Sequence, residues 1–264
     1  MQKLAGLEYE EHGAGEAVLL IHGAFISDAL SLVAREAALA SHYRVIWYRR
    51  RGYGGSSPVS APFSIAEHAE DAQSLLAHLG IERAHIVGHS GGGVIATELT
   101  IQAPQVVRSL VVLEPAIFSP QLKAAFLQML GPVNETYRSG DVGAAVDAFM
   151  NMVAPEPDWR GELRKALPKG PEQSDLDAPV TFEVDLPQIE KWVFDSERAD
   201  RIACPVLYVF GSESGPLIEA ARDHYLSLVP KSETVCLQTL DHSMNTKGPG
   251  LVAEAVAEFL ARQA

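Results

Sequence analysis

The chain has 264 residues, 47% of them hydrophobic and 21% charged, which is enough apolar content for one sizeable core and too little charge for a disordered chain. Its formal net charge of −13 argues against a nucleic-acid surface, which needs clustered cations to neutralise phosphates. Met1 to Glu11 lacks the basic start and long apolar run of a signal peptide. No stretch reaches the roughly 18 apolar residues of a membrane span, so the cytoplasm is the expected compartment.

In chain order, short β-rich runs alternate with longer helical patterns. Ala17–His22 (AVLLIH) predicts a buried strand, followed by Arg44–Arg49 (RVIWYR) and Ala84–Gly88. Arg108–Glu114 (RSLVVLE), Pro205–Gly211 (PVLYVFG) and Glu233–Leu237 (ETVCL) complete the set. Helices are expected at Ser64–Leu79, Gly92–Gln102, Leu217–Leu228 and Leu251–Arg262. In the first of these, Ile65, Ala69, Ala72, Leu75, Leu76 and Leu79 fall on one face. Such alternation predicts a mostly parallel α/β sheet with helices on both faces. Ile117 to Asp200 breaks the rhythm: it holds Pro132, Pro155, Pro157, Pro168, Pro171, Pro179 and Pro187 and no buried-strand run. It reads as a helical cap (117–200) inserted into a core made of 1–116 and 201–264. Cys204 and Cys236 read as buried free thiols packing as small hydrophobes, with a disulfide left open.

Gly88-His89-Ser90-Gly91-Gly92 carries the chemistry. It fits G-x-S-x-G, between a strand-like and a helix-like segment, as a nucleophile elbow requires. A serine hydroxyl is a weak nucleophile, and needs an imidazole to take its proton and an acid to orient that imidazole. Of the nine histidines, His242 has the required place after the last strand. His12, His42, His68 and His78 read as solvated, His224 sits in a helix pattern, and His85 and His89 flank the elbow and are candidates to line a pocket.

These features, with His22-Gly23 after the early strand and Arg51-Gly52-Tyr53-Gly54-Gly55-Ser56 after the next, make the chain resemble the α/β-hydrolase fold superfamily along most of its length. The resemblance implies a catalytic serine, acid and histidine in that chain order. The common acid position lies a few residues past Gly211, where this chain has Ser214, with Glu213 one residue out of register. Other members carry the acid one strand earlier, and the chain resembles the subgroup with Glu-Pro there. Glu114-Pro115 follows four apolar residues and should emerge at the C-terminal edge of the sheet, where ligands gather. Glu114 is the preferred acid; Glu213 and then Asp241 are the rivals, and a capping or ion-paired loop carboxylate is the plain alternative for Glu114.

An oxyanion hole would take the backbone N–H of Gly91 and, by resemblance, that of Ala24, with Phe25 second. Losing such a donor costs about 3–4 kcal/mol of transition-state stabilisation. Phe25, His89, Trp159, Phe182, Trp192 and Phe194 are candidate substrate contacts. The cap aromatics have a competing role in packing the cap itself, as do Met129, Met150 and Met152. Arg49 stands where the family often has Asp and needs an acidic partner. The Arg49–Arg51 run also invites an anion site, which is the weaker reading.

The expected activity is hydrolysis of a small carboxylic ester or lactone through an acyl-enzyme, without cofactor or metal. C–C bond hydrolysis, lyase chemistry on the same residues and ligand binding without turnover remain as alternatives. The expected partner is a small-molecule substrate rather than a nucleic acid or a membrane, with a homodimer left open.

Overall fold

The computed structural model describes residues 1–59 and 62–263; Ser60, Ala61 and Ala264 lie outside the described residues. The strands are β1 (Gln2–Leu4), β2 (Leu7–His12), β3 (Glu16–Ile21), β4 (Tyr43–Arg49), β5 (Ala84–His89), β6 (Val107–Leu113), β7 (Val206–Gly211) and β8 (Glu233–Leu237). They form a single sheet in the order β1-β2-β4-β3-β5-β6-β7-β8. Pairing is parallel from β4 through β8, and β2 joins β4 antiparallel.

Side-chain alternation along each strand feeds two apolar layers. Leu19, Ile21, Ile86, Leu110 and Val112 face helices Ile65–His78 and Gly91–Gln102. Val18, Leu20, Val87, Val111 and Val209 face helices Ala29–Ala34 and Pro249–Leu260. Coverage on both faces explains why the central strands read as unbroken apolar runs. Helix Ile65–His78 starts at a reciprocal cap, in which the Ser64 hydroxyl accepts the Glu67 N–H while the Glu67 carboxylate accepts the Ser64 N–H.

The sequence reading does not anticipate β1 and β2. In β2 only Leu7 and Tyr9 turn inward while Glu8, Glu10 and Glu11 stay partly exposed, so a half-solvated edge lacks the apolar run of a central strand. His68, expected on a solvated helix face, is also different: it is buried against Phe63, with Nε2 3.5 Å from an Asp185 oxygen. It lies one helical turn from Ile65 and shares that residue's inward face. The two cysteines are free and partly buried.

Residues 117–200 contain helices and no strand among the described residues. The longest helix is Pro120–Arg138; Val142–Val153, Trp159–Ala166 and Gly170–Val180 follow. The last continues through a π turn, Thr181–Asp185, into helix Leu186–Lys191. Pro187 lacks the N–H that an α-helix would direct at the Glu183 carbonyl, and the backbone widens just there. This segment has its own apolar cluster around Phe126, Val146, Phe149 and Phe182, which Phe25 of the main body joins.

Each arginine of the Arg49–Arg51 run has its own carboxylate. Arg49 pairs with Asp28 at 2.7 Å and with Glu8 at 2.8 Å. Arg51 pairs with Asp71 at 2.6 Å. Arg50, buried at the end of β4, grips Asp185 of the π turn with two N–H groups, at 3.0 and 2.5 Å. The run is therefore internally neutralised and ties the helical insertion to the sheet. Burial alone would push the Asp185 carboxyl up, but the guanidinium beside it overrides that and holds it well below the usual carboxylate range. Removing one partner leaves an uncompensated buried charge, so Asp185→Ala is expected to lower unfolding free energy by about 3–5 kcal/mol in denaturant titration. A loss under about 1 kcal/mol, the scale of a surface pair, would contradict this placement.

Candidate active site

The C-terminal ends of β3, β5 and β6 and the loop after β8 converge on one point. After β3, β5 and β6, one non-glycine residue each adopts positive φ: Phe25 at 58°, Ser90 at 52° and Glu114 at 43°. Such conformations are costly and concentrate at functional sites. Ser90 stands between β5 and helix Gly91–Gln102, with its N–H donated to the Leu113 carbonyl at 3.0 Å. The small residues nearby are required by close approach: a Cβ on Gly92 would collide with the carbonyls of Ile21 and His22, and one on Gly88 with the Gly92 carbonyl. The serine is thereby lifted onto a sharp turn at the sheet edge.

Glu114 emerges from β6 and is 1% exposed. Its Oε2 lies 2.8 Å from Nδ1 of His242. Its Oε1 accepts the Gly211 N–H at 2.8 Å and the Ser214 hydroxyl at 2.5 Å. Burial would raise this carboxyl, but His242, Ser214 and Gly211 together outweigh it and hold the pKa below the ordinary value. The carboxylate fixes Nδ1 as the protonated ring nitrogen of neutral His242 and leaves Nε2 as the basic one. The rivals point elsewhere: Glu213 is exposed, and Asp241 pairs with Lys247 at 2.7 Å.

His89 packs its ring against His242, with centroids 4.8 Å apart. Burial, reinforced by the neighbouring His242, drives its pKa down to about 3, so it is neutral. Its Nε2 donates to the His242 carbonyl at 2.9 Å, and Asn245 lies 3.4 Å from its Nδ1. Neither Ala24 nor Gly91 has a hydrogen-bond acceptor for its N–H among the described residues, whereas the Phe25 N–H is taken by Thr181 Oγ1 at 3.2 Å. Of the two residues considered after His22-Gly23, Ala24 thus has the amide that is free.

Two adjoining hollows, of about 450 and 520 Å³ counting their mouths, meet at Ala24, Ser90, Phe149, Val153 and His242. Phe25, His89, Asn245 and Met150 line the first. The second runs under the insertion, between Phe118, Phe126, Leu186, Ile189 and Leu217. Four aromatics singled out from sequence, Trp159, Phe182, Trp192 and Phe194, are not among these lining residues. Trp159 donates its indole N–H to Asp147 and borders a separate surface hollow. Phe182 is sandwiched between Phe25 and Tyr137. Trp192 stacks on Phe194 and donates to Glu98. His85 likewise turns from the cavities and meets Ser109 Oγ at 2.7 Å. Aromatic content alone does not say which way a side chain points in a small helical layer. Phe126 and Phe149 escaped notice because their helical spacing equally suits ordinary core, and Phe118 because it sits in the loop before helix Pro120–Arg138.

Residues 16–231 match the family described as the alpha/beta hydrolase fold. The chain belongs to this family. It is 42% identical over 108 residues to RutD of Azorhizobium caulinodans, a candidate carbamate hydrolase, a match spanning 41% of this chain and only 40% of that protein. Proline iminopeptidase of Heyndrickxia coagulans is 25% identical over 96% of this chain and 93% of its own. Among solved structures, a thermophilic esterase from Thermogutta terrifontis superposes with a TM-score of 0.80 at 22% identity, over 97% of this chain and 93% of the esterase. Among the described residues of this chain no helix is long and apolar enough to cross a membrane.

The lowered Glu114 carboxyl makes a stability prediction. Its contribution is present above the unfolded value of 4.5 and is lost as pH falls through the lower folded value. The stability gap between wild type and Glu114→Gln, read by urea denaturation across pH, should therefore be flat above 4.5 and narrow below it. A gap that widens in acid would contradict the assignment.

Proposed function

We propose that the protein is a serine hydrolase of small carboxylic esters or lactones, working through an acyl-enzyme. The observation that carries the reading is the buried Glu114–His242 hydrogen bond at 2.8 Å, beside a positive-φ serine that shares both hollows with His242.

In this reading Ser90 Oγ attacks the carbonyl carbon while His242 Nε2 takes its proton. Glu114 orients the imidazole and stabilises the imidazolium that forms. The N–H groups of Ala24 and Gly91 hold the oxygen that gains negative charge. Collapse of the tetrahedral intermediate expels the alcohol, which receives the proton from His242. Water then attacks the acyl-Ser90 ester by the same proton route, releasing the acid and restoring the serine. The insertion of residues 117–200 acts as a cap that walls the substrate from solvent. Its apolar lining at Phe118, Phe126, Leu186 and Ile189 suits an apolar moiety of the substrate, since such pockets gain most from burying hydrocarbon.

The test is a panel of p-nitrophenyl esters and simple lactones. Wild type should turn over at least one, and Ser90→Ala should lose all but a trace. Glu114→Gln should lower kcat on the order of 10⁴-fold, while Glu213→Gln stays near wild type. Full turnover by Ser90→Ala would exclude nucleophilic catalysis, and a loss in Glu213→Gln but not in Glu114→Gln would move the acid.

A further inference from the structure

The turn that carries Ala24 is held from outside the sheet. Arg50 donates Nε to the His22 carbonyl at 3.1 Å and Nη2 to the Gly23 carbonyl at 3.0 Å, while its own backbone N–H donates to His22 Nε2 at 2.9 Å. The same guanidinium grips Asp185 of the insertion. Tyr53 donates its hydroxyl to Asp185 Oδ2 at 2.6 Å, which spends its only proton. The 2.8 Å contact between Tyr53 Oη and Thr181 Oγ1 must then be donated by Thr181. That leaves the Thr181 oxygen to accept the Phe25 N–H. The ring closes from turn to Arg50, Asp185, Tyr53, Thr181 and back to the turn, with Arg50, Tyr53, Thr181 and Asp185 all buried.

We infer that Thr181, through this ring, is a positioning residue for the oxyanion turn, so that the π turn of the insertion sets the aim of the Ala24 N–H. Thr181 binds no substrate: it is absent from the lining of both hollows. Its hydroxyl is the acceptor that holds Phe25 at positive φ, one residue beyond Ala24. The strain at Phe25 needs such an over-determined setting to persist, and a small displacement of a catalytic donor is costly in rate. The inference rests on the serine-hydrolase reading above.

The test compares Thr181→Val, which keeps the shape and deletes the acceptor, with Thr181→Ser, which keeps it. The readouts are kcat and KM on an ester that wild type hydrolyses, and Ki for phenylboronic acid, whose tetrahedral serine adduct uses the oxyanion donors. Thr181→Val should lower kcat roughly 10- to 100-fold with KM within about twofold, and raise Ki by a similar factor. Thr181→Ser should restore both. Ki does not depend on the fraction of folded enzyme, so partial misfolding cannot imitate this result. If Thr181→Val gives no soluble protein, Tyr53→Phe, which deletes the hydroxyl that orients Thr181, should move kcat and Ki in the same direction. Unchanged Ki, or an effect confined to KM, overturns the positioning role while Ser90-dependent turnover leaves the hydrolase reading intact. Turnover that survives Ser90→Ala overturns both.

Discussion

A carboxylate almost wholly removed from water must find partners for its charge or lose it. Glu114 keeps its charge because a backbone N–H, a serine hydroxyl and an imidazole converge on its two oxygens. Those partners come from the end of β7, the loop beyond it and the loop after β8, while Glu114 itself ends β6. Satisfying this one charge therefore stitches together the C-terminal edge of the sheet. It also sets the tautomer of His242, leaving Nε2 without the ring proton. The acid at this strand end and the serine at position 214 are two halves of one arrangement: Ser214 occupies the place where an acid is common in the family and instead donates to Glu114.

The other shaping constraint is the helical insertion. Its apolar side chains line the second hollow, yet it is anchored by charge, through Arg50 and Asp185. A buried ion pair contributes less net stability than its geometry suggests, but it punishes every alternative placement of the insertion that would leave one partner bare. The arginine run after β4, which as a sequence invites an anion ligand, is spent on internal carboxylates. The apolar face of the insertion thus shapes the second hollow, while its charged anchor fixes where that wall stands.

Local signals carried most of what was legible in the sequence. The glycines around Ser90 are needed by backbone approach within a few residues, so the elbow could be read directly. The central strands advertise themselves because both faces are buried. His242 and Glu114 were legible from chain order and from the apolar run ending at Leu113, but the choice between Glu114 and Glu213 depended on contacts across three strand ends. The pocket lining was least legible. Trp159, Phe182 and Trp192 look like substrate contacts by composition, whereas their direction is settled by partners such as Asp147, Tyr137 and Glu98, distant or unremarkable in sequence. The β1–β2 edge escaped because it owes its state to a neighbouring strand that the local pattern does not contain, whereas His68 shares the inward face of Ile65 and escaped because a histidine reads as polar.

The proposed mechanism requires a covalent acyl group on Ser90, and rapid-quench mass spectrometry of the protein mixed with a hydrolysable p-nitrophenyl ester tests for it most directly. An early burst of p-nitrophenol is expected, matched by an intact-mass increase equal to the acyl group and mapped by peptide fragmentation to Ser90. Steady turnover with no adduct even when deacylation is slowed, or an adduct on another residue, would contradict it.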